Sequence, residues 1–250
     1  MHLARRVGLM VAAVVAGTAA VLAVEIQLAR SGSRLPDLQL VLDRPGAGHR
    51  LVWLGDSTAA GVGASTSAGA LPTQVADGLA GGGSAVDGPG VSGASVAVLA
   101  VSGARVADVL ADQAPKVTEL QPDLVLISVG ANDTIHLTGR GAFRHTYEEL
   151  VRALPAGVPV VLLGVPDMGA IPRFAQPLRA VSGWRGRNLD AEVRWVAART
   201  GAVYADIAGP TGPPFRRHPD RYFAADDFHP SDAGYGLWAG AVLKVLRNFR

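Results

Sequence analysis

Cysteine is absent from this chain of 250 residues. That absence excludes disulfides, thiolate metal sites and a cysteine nucleophile, and it leaves the cellular compartment open. The chain also has little excess of positive over negative charge. Its 23 lysines and arginines nearly balance 21 aspartates and glutamates, for a formal net charge of +2. So small an excess does not favour nucleic acid as a partner. Arginines fall in two stretches without interleaved aromatic residues, which we interpret as a solvated rim: Arg173, Arg179, Arg185, Arg187, Arg216, Arg217 and Arg221.

Nucleotide and metal motifs are incomplete. Gly61 and Gly63 resemble part of a dinucleotide-binding fingerprint, but no third glycine stands at a suitable position and no P-loop lysine follows. Asp226, Asp227 and His229 contain possible ligands for a divalent cation, but by themselves they are a weak pattern for a metal site. We therefore expect neither a cofactor nor a bound metal.

The N-terminus predicts a membrane or export segment. Arg5 and Arg6 precede an uncharged run, 7–24, which at about 1.5 Å per residue nearly spans a hydrocarbon core of ~30 Å. We interpret residues 1–30 as a transmembrane signal-anchor, with the following domain on the extracytoplasmic side of the membrane. The alternative is a secretory signal peptide cut after residue 23, which would release a secreted protein.

The remaining chain is long enough for one α/β domain of about 200 residues with a buried core. Residues 31–48 are rich in proline and glycine and are predicted to form a linker. Residues 49–250 are predicted to form the single α/β domain.

Short apolar segments alternate with helical segments throughout this domain. We predict strands at 51–54, 95–100, 124–129, 158–163 and 202–205, and helices at 71–79, 106–120 with an interruption near Pro115, 143–153, 189–199 and 232–246. Continuous apolar strands between helices indicate a parallel sheet covered on both faces, with functional residues at the carboxyl ends of the strands. The long segments 164–187 and 207–225 are predicted to be loops that wall a pocket.

Gly55-Asp56-Ser57 follows the first predicted strand directly. Glycine permits a sharp turn, so Ser57 is expected at the end of the strand, at or near the start of helical structure. A serine in such a place is most often a helix N-cap, so its interpretation as a nucleophile depends on a base elsewhere in the chain. Asp56 is assigned no catalytic role.

His229 is the histidine that supplies this base. Asp226 stands three residues before it, so one tight turn carries both, with the carboxylate on Nδ1 and with Nε2 facing Ser57. Asp227 is the rival carboxylate, but it is expected to point to a different side of the turn. A serine and a histidine in this arrangement predict acyl-transfer chemistry.

Four segments in chain order resemble the four blocks of the SGNH (GDSL-type) hydrolase family: Gly55-Asp56-Ser57, Gly103, Gly130-Ala131-Asn132-Asp133 and Asp226-Asp227-Phe228-His229-Pro230. The resemblance covers roughly residues 48–248. One departure is Thr58, where the family usually has leucine, and we expect this position to pack rather than to react.

The resemblance implies a three-layer α/β/α flavodoxin-like fold with a central parallel sheet. It implies that Ser57, His229 and Asp226 are the catalytic residues. It also implies three oxyanion donors, namely the main-chain N–H groups of Ser57 and Gly103 and the side-chain amide of Asn132.

The implied function is that of a serine esterase that hydrolyses carboxylic esters, either of a lipid or of an acylated carbohydrate, so that the expected partner is a small-molecule ester. One alternative is an acyltransferase that passes the acyl group to a sugar or lipid hydroxyl. The alternative from another class is a non-catalytic envelope-binding module. The sequence leaves the acyl length and the oligomeric state open.

Overall fold

The computed structural model describes residues 48–81 and 94–247 and, before them, residues 6, 7, 10, 16–18, 20–27, 35, 37, 38 and 40–42. Much of the predicted anchor segment 1–30 and of the predicted linker 31–48 therefore lies outside the described residues.

One six-stranded sheet forms the centre of the domain. The strands are β1 Val41–Leu42, β2 His49–Gly55, β3 Ala94–Val98, β4 Leu124–Ser128, β5 Val160–Leu163 and β6 Val203–Ala205. Their order in the sheet is β1-β3-β2-β4-β5-β6. Strands β2 to β6 run parallel, and β1 pairs antiparallel with β3. The predicted parallel sheet is confirmed, because each predicted strand overlaps one of the parallel strands. β1 lies within the segment predicted to be a linker and forms one edge of the sheet.

Helices flank this sheet. They are α1 Leu71–Gly81, α2 Val106–Asp108, α3 Ala131–Ile135, α4 Arg140–Arg152, α5 Leu178–Thr200, α6 Ala208–Arg217, α7 Pro219–Tyr222 and α8 Asp232–Leu246. After α2 come a π-helical turn, Val109–Gln113, and two 3-10 turns, Ala114–Lys116 and Thr118–Leu120. The predicted interruption near Pro115 is thus a succession of different helical turns, since proline has no N–H for a regular helix.

α5 begins at Leu178, well before the start predicted at residue 189, so residues 178–187 of the predicted loop 164–187 are helical. Glycines inside this helix suggested a loop. These glycines instead allow a neighbouring 3-10 turn to pack closely against the helix. A Cβ added at Gly186 would lie 2.8 Å from Met168 Cγ, and a Cβ added at Gly183 would lie 3.1 Å from Gly169 Cα. This close tertiary packing outweighs the low helix propensity of glycine.

The segment 207–225 was also predicted to be a loop, but it contains α6 and α7. Its prolines and glycines argued against a helix. Asp206 compensates at the start of α6, where its Oδ1 accepts a hydrogen bond of 2.8 Å from Gly209 N. Farther along, Phe215 is buried against Phe223, with ring centroids 4.9 Å apart. Capping and burial therefore hold a helix that local propensity disfavours.

The hydrophobic core lies between the sheet and these helices. α1 packs against α8, and α4 packs against α5. The largest fully buried side chains include Trp53 of β2, Phe143 and Tyr147 of α4, and Tyr235 of α8. Full burial of an apolar side chain such as Phe143 stabilises the fold by roughly 1.5–3 kcal/mol, and this packing supports the residues at the carboxyl edge of the sheet.

Residues 20–27 are helical and contact the domain. Leu22 and Ile26 pack against the hydrophobic core, and Glu25 Oε2 accepts a hydrogen bond of 2.9 Å from Leu178 N at the start of α5. Among the described residues, no helix combines the length and the apolar character needed to cross a membrane.

Candidate active site

Ser57 lies just beyond the carboxyl end of β2. Gly55 ends this strand at a φ of +144°, where an added Cβ would lie 2.0 Å from Ser128 O of β4. Only glycine tolerates both that dihedral angle and that distance. Asp56 N then donates to Ser128 O at 3.0 Å, and residues 57–63 form consecutive turns. Ser57 therefore starts a turn rather than a regular helix, which differs from the predicted helix start.

His229 and Asp226 lie on the turn that precedes α8, on the side facing Ser57. The Ser57 hydroxyl donates to His229 Nε2 at 3.0 Å, and His229 Nδ1 donates to Asp226 Oδ2 at 2.6 Å. Ser57 and Asp226 are both buried, at 8% and 5% exposure. Ser57 and the distant pair of Asp226 and His229 are thus joined by an unbroken line of hydrogen bonds.

Asp226 also organises the turn that carries the histidine. Its Oδ1 accepts from Phe228 N at 3.1 Å and from His229 N at 3.0 Å. Burial raises the pKa of Asp226, but the hydrogen bonds and the charge of His229 outweigh burial and hold the pKa below its ordinary value. The carboxylate is therefore ionised at neutral pH and fixes the histidine tautomer.

Asp227 occupies a different position. Its side chain is exposed, and its φ of +55° carries the chain through a left-handed turn. Its main-chain oxygen accepts from Arg173 N at 3.1 Å. As predicted, the carboxylates of Asp226 and Asp227 lie on different sides of the turn.

Gly103 and Asn132 border the same cleft as Ser57. Asn132 Nδ2 donates one hydrogen to Ala104 O at 3.1 Å, which leaves its second amide hydrogen for another acceptor. Gly103 has a φ of +84°, and an added Cβ there would meet nothing within 4 Å. Its backbone conformation therefore explains the glycine.

Gly63 has a role that its sequence pattern did not reveal. An added Cβ on this residue would lie 2.4 Å from Pro230 O and 2.8 Å from His229 Cβ. The glycine thus lets the histidine turn approach the serine turn. This packing explains Gly63 of the partial nucleotide fingerprint.

The sequence matches the model of the GDSL-like Lipase/Acylhydrolase family over residues 53–237. The chain belongs to this family. It is also 35% identical, over 128 residues, to the GDSL-like esterase Rv1075c of Mycobacterium tuberculosis. That match covers 51% of this chain and 41% of the relative, so it spans less than half of the relative's length.

Solved structures share the GDSL fold with this chain. A lipase/acylhydrolase from Enterococcus faecalis superposes with a TM-score of 0.63 at 23% identity, over 80% of this chain and 96% of the other. A catalytic mutant of Axe2, an acetylxylan esterase from Geobacillus stearothermophilus, superposes with a TM-score of 0.57 at 23% identity, over 82% and 96%. At such identities the likeness establishes the fold.

Thr58, the departure from the usual GDSL leucine, is buried as expected but is also a hydrogen-bonding residue. Its hydroxyl donates to Asp56 Oδ1 at 2.8 Å and lies 2.9 Å from the Ser128 hydroxyl, while its N–H donates to the same Asp56 oxygen at 3.0 Å. Burial raises the pKa of Asp56 to about 6, against the opposing hydrogen bonds from Thr58 and the charge of His229. Asp56 thus holds the turn that carries the GDSL serine.

Two cavities of this GDSL domain meet at the candidate active site. The residues that line both cavities are Ser57, Asn132, Phe228 and His229. One is a small cavity of ≈ 40 Å³ with a mainly apolar wall: Met168, Ile171, Phe215, Phe223 and Trp238, among others. The other is a cleft of ≈ 630 Å³ with many polar groups: Asp37, Ser102, Asp108, Asp112, His136 and Arg173, among others.

His136 is a residue of the cleft that its sequence pattern did not reveal. It is exposed, but it also lines the cleft, and its ring Nδ1 donates to Asn132 O at 2.9 Å. Only its place four residues after Asn132 could have indicated this. Among the described residues, no group of three or more histidine and carboxylate side chains is arranged to hold a metal ion.

Proposed function

We propose that this protein is a serine esterase that hydrolyses carboxylic esters through an acyl-enzyme on Ser57. The observation that carries the proposal is the line of hydrogen bonds from Ser57 Oγ through His229 to Asp226, with steps of 3.0 Å and 2.6 Å. Both distances lie within the reach required for a nucleophile, its base and the group that orients the base. The family to which the chain belongs supports the same chemistry.

In this mechanism Ser57 Oγ attacks the ester carbonyl carbon while His229 Nε2 takes the hydroxyl proton. Asp226, ionised and bonded to Nδ1, stabilises the imidazolium that forms. The tetrahedral intermediate collapses as His229 returns the proton to the leaving alkoxide, which departs as the alcohol. A water molecule then attacks the acyl-enzyme by the same route and releases the acid and free Ser57.

The oxyanion of the tetrahedral intermediate needs preorganised donors. We assign this role to the N–H groups of Ser57 and Gly103 and to the second amide hydrogen of Asn132. The hydrogen bond from Asn132 to Ala104 O supports the assignment of Asn132, because it fixes the side chain at the edge of the cleft. The place of Gly103 in the lining of the same cleft as Ser57 and Asn132 supports the assignment of that residue.

The small apolar cavity indicates a short acyl group. A volume of ≈ 40 Å³ holds roughly three water-sized groups at 10–15 Å³ each, which corresponds to an acetyl to butyryl chain. We expect p-nitrophenyl acetate and butyrate to be hydrolysed and p-nitrophenyl octanoate to be at least tenfold slower in kcat/KM.

Hydrolysis of p-nitrophenyl acetate by Ser57→Ala, His229→Ala and the double variant tests the proposal. Each single variant should lose most activity, and the double variant should be hardly worse, because the two residues act as a unit. Ser95→Ala and His145→Ala, which lie outside both cavities, should keep wild-type activity. If the two single-variant losses of activity added in the double variant, the triad would be refuted. If the wild-type protein were inactive, the alternative of a non-catalytic module would be favoured.

Product analysis with an added polyol separates hydrolysis from transfer. Free acetate as the main product in the presence of excess glycerol supports an esterase. Acetylated glycerol as the main product would make the protein an acyltransferase that uses the same acyl-enzyme.

As a separate proposal, the domain acts outside the cytoplasm, either anchored in the membrane or secreted. The uncharged run 7–24 behind Arg5 and Arg6 supports it. Fractionation of cells that express the full chain tests it. A protein recovered wholly in the cytosol, with its N-terminal residues intact, would refute both forms of the proposal.

A further inference from the structure

Ser57 lies between two cavities of very different size and chemistry. An ester places its acyl group and its alcohol on opposite sides of the carbon that Ser57 attacks, so each cavity receives one of the two. Which cavity takes which part then determines the class of substrate.

The small cavity suits an alkyl group and little else. Its wall includes three rings, of which Phe215 lies against both Phe223 and Trp238. The carboxylate in its lining, Asp167, is paired with Arg216. Phe228 and His229 stand at its opening, in edge-to-face contact with ring centroids 4.8 Å apart. An alkyl chain in this cavity would be shielded from water and gain the usual hydrophobic stabilisation.

The large cleft suits a group with many hydroxyls. Its volume of ≈ 630 Å³ lies in the range of sites that hold drug-sized molecules. Ser102, Asp112 and His136 are exposed along its wall and present acceptors and donors to the cleft. Apolar side chains, Val101 and Ile135 among them, share the wall with these polar groups.

Charge in the cleft disfavours an anionic occupant. Asp108 is partly neutralised by Arg105, 3.5 Å away, and Arg173 lies 3.8 Å from Asp226 and stacks over Phe228. Asp37 and Asp112 add two more carboxylates to the wall. Because carboxylates outnumber cations, the cleft repels a phosphate or carboxylate on the substrate.

The order of the reaction assigns the alcohol to this cleft. The acyl group stays bound to Ser57 while the alcohol leaves and water enters. The wide cleft provides a route for both, whereas the small cavity has no room for exchange. The part of the ester that leaves therefore occupies the cleft.

We infer that the substrate is a short-chain acyl ester of a neutral polyol, such as a sugar, with the acyl group in the small cavity and the polyol in the cleft. Asp112 and His136 are then specificity residues that hydrogen-bond the hydroxyls of the polyol. This inference rests on the proposed esterase function and adds the class of alcohol to it.

Four esters that differ in the position of their polar part test the inference. They are 6-O-acetylglucose, hexyl acetate, methyl hexanoate and an O-acetylated glucuronic acid, and p-nitrophenyl acetate reports basal esterase activity. We expect kcat/KM for 6-O-acetylglucose to exceed that for hexyl acetate by at least tenfold. The glucuronic acid ester should be slower than the glucose ester, and methyl hexanoate should be the slowest.

A matched pair of variants connects the preference to the cleft. Asp112→Ala should lower the ratio of kcat/KM for 6-O-acetylglucose over hexyl acetate at least fivefold, whereas Asp220→Ala, an exposed aspartate outside the cleft, should leave this ratio unchanged. If this ratio of kcat/KM values fell equally in both variants, the cleft would not determine the preference for the alcohol part of the ester.

The outcomes separate the two proposals. Faster hydrolysis of hexyl acetate or methyl hexanoate than of 6-O-acetylglucose, with p-nitrophenyl acetate turned over, would overturn this inference and leave the esterase intact. No hydrolysis of any ester, including p-nitrophenyl acetate, would overturn both.

Discussion

Asp56, the buried carboxylate beside the nucleophile, should impose a measurable dependence of stability on pH. It is 2% exposed, and burial raises its pKa from 3.8 to about 6, against the hydrogen bonds from Thr58 and the charge of His229. A difference of roughly two pKa units corresponds to about 3 kcal/mol at 1.36 kcal/mol per unit. The folded protein therefore binds this proton more tightly than the unfolded chain does.

The sign of the effect follows from that difference. The ionised form of Asp56 destabilises the fold above pH 6, and the penalty disappears as the pH falls through 6 towards 3.8. Asp56→Asn carries no charge at any pH, and its side-chain oxygen can still accept both hydrogen bonds from Thr58. Relative to wild type, the variant should gain about 2 kcal/mol of unfolding free energy between pH 4 and pH 8.

Urea denaturation of both proteins at unit steps from pH 4 to pH 8 measures this gain. Thr58→Val provides the opposite perturbation, because it keeps the side-chain shape but removes the hydroxyl that stabilises the ionised carboxylate. Its loss of stability should be larger at pH 8 than at pH 4. A difference between Asp56→Asn and wild type that stays constant over this range would refute the reasoning.

Three further predictions concern the site and its support. Asn132→Ala should lower kcat for p-nitrophenyl acetate by about 10² to 10³ with little change in KM, as expected for a lost oxyanion donor; loss of thermal stability with unchanged turnover would contradict this. Asp226→Asn should lower kcat strongly and Asp227→Asn hardly at all, because only the first carboxylate bonds to the histidine ring; the reverse ranking in the same assay would mean that Asp227 orients the base. Gly55→Ala should destabilise the fold severely in thermal unfolding, since its Cβ would lie 2.0 Å from a carbonyl oxygen, whereas Gly141→Ala, in open space on α4, should be neutral or stabilising by up to about 1 kcal/mol. Equal effects of the two glycine substitutions would contradict the close approach of β2 and β4.

The parallel sheet was predictable because its strands are short continuous apolar runs between helices. Buried strands such as Leu124–Ser128 need apolar residues on both faces, and that requirement is visible in the sequence. The place of Ser57 was predictable for a related reason, because the carboxyl ends of parallel strands lie along one edge of the sheet. His229 follows α7 and not a strand, so its meeting with Ser57 was indicated by the spacing from Asp226 and by the family resemblance.

Helices α5 and α6 could not be predicted in full because tertiary contacts decide them. Gly183 and Gly186 disfavour a helix in isolation, and only the packing of Met168–Ala170 onto them shows why small residues are required. The same limit applies to Asp56 and Thr58. Their hydrogen bonds cross to Ser128 on another strand, so the sequence around them contains no sign of the network.

Labelling with a fluorophosphonate tests the account of Ser57 most directly, because the reagent forms a stable bond only with an activated serine. Intact-mass measurement of the full-length protein should show one adduct, and peptide mapping should place it on Ser57. The adduct should be absent from Ser57→Ala and form far more slowly on His229→Ala. A label on another serine, or full esterase activity in a protein whose Ser57 cannot be labelled, would contradict the central claim.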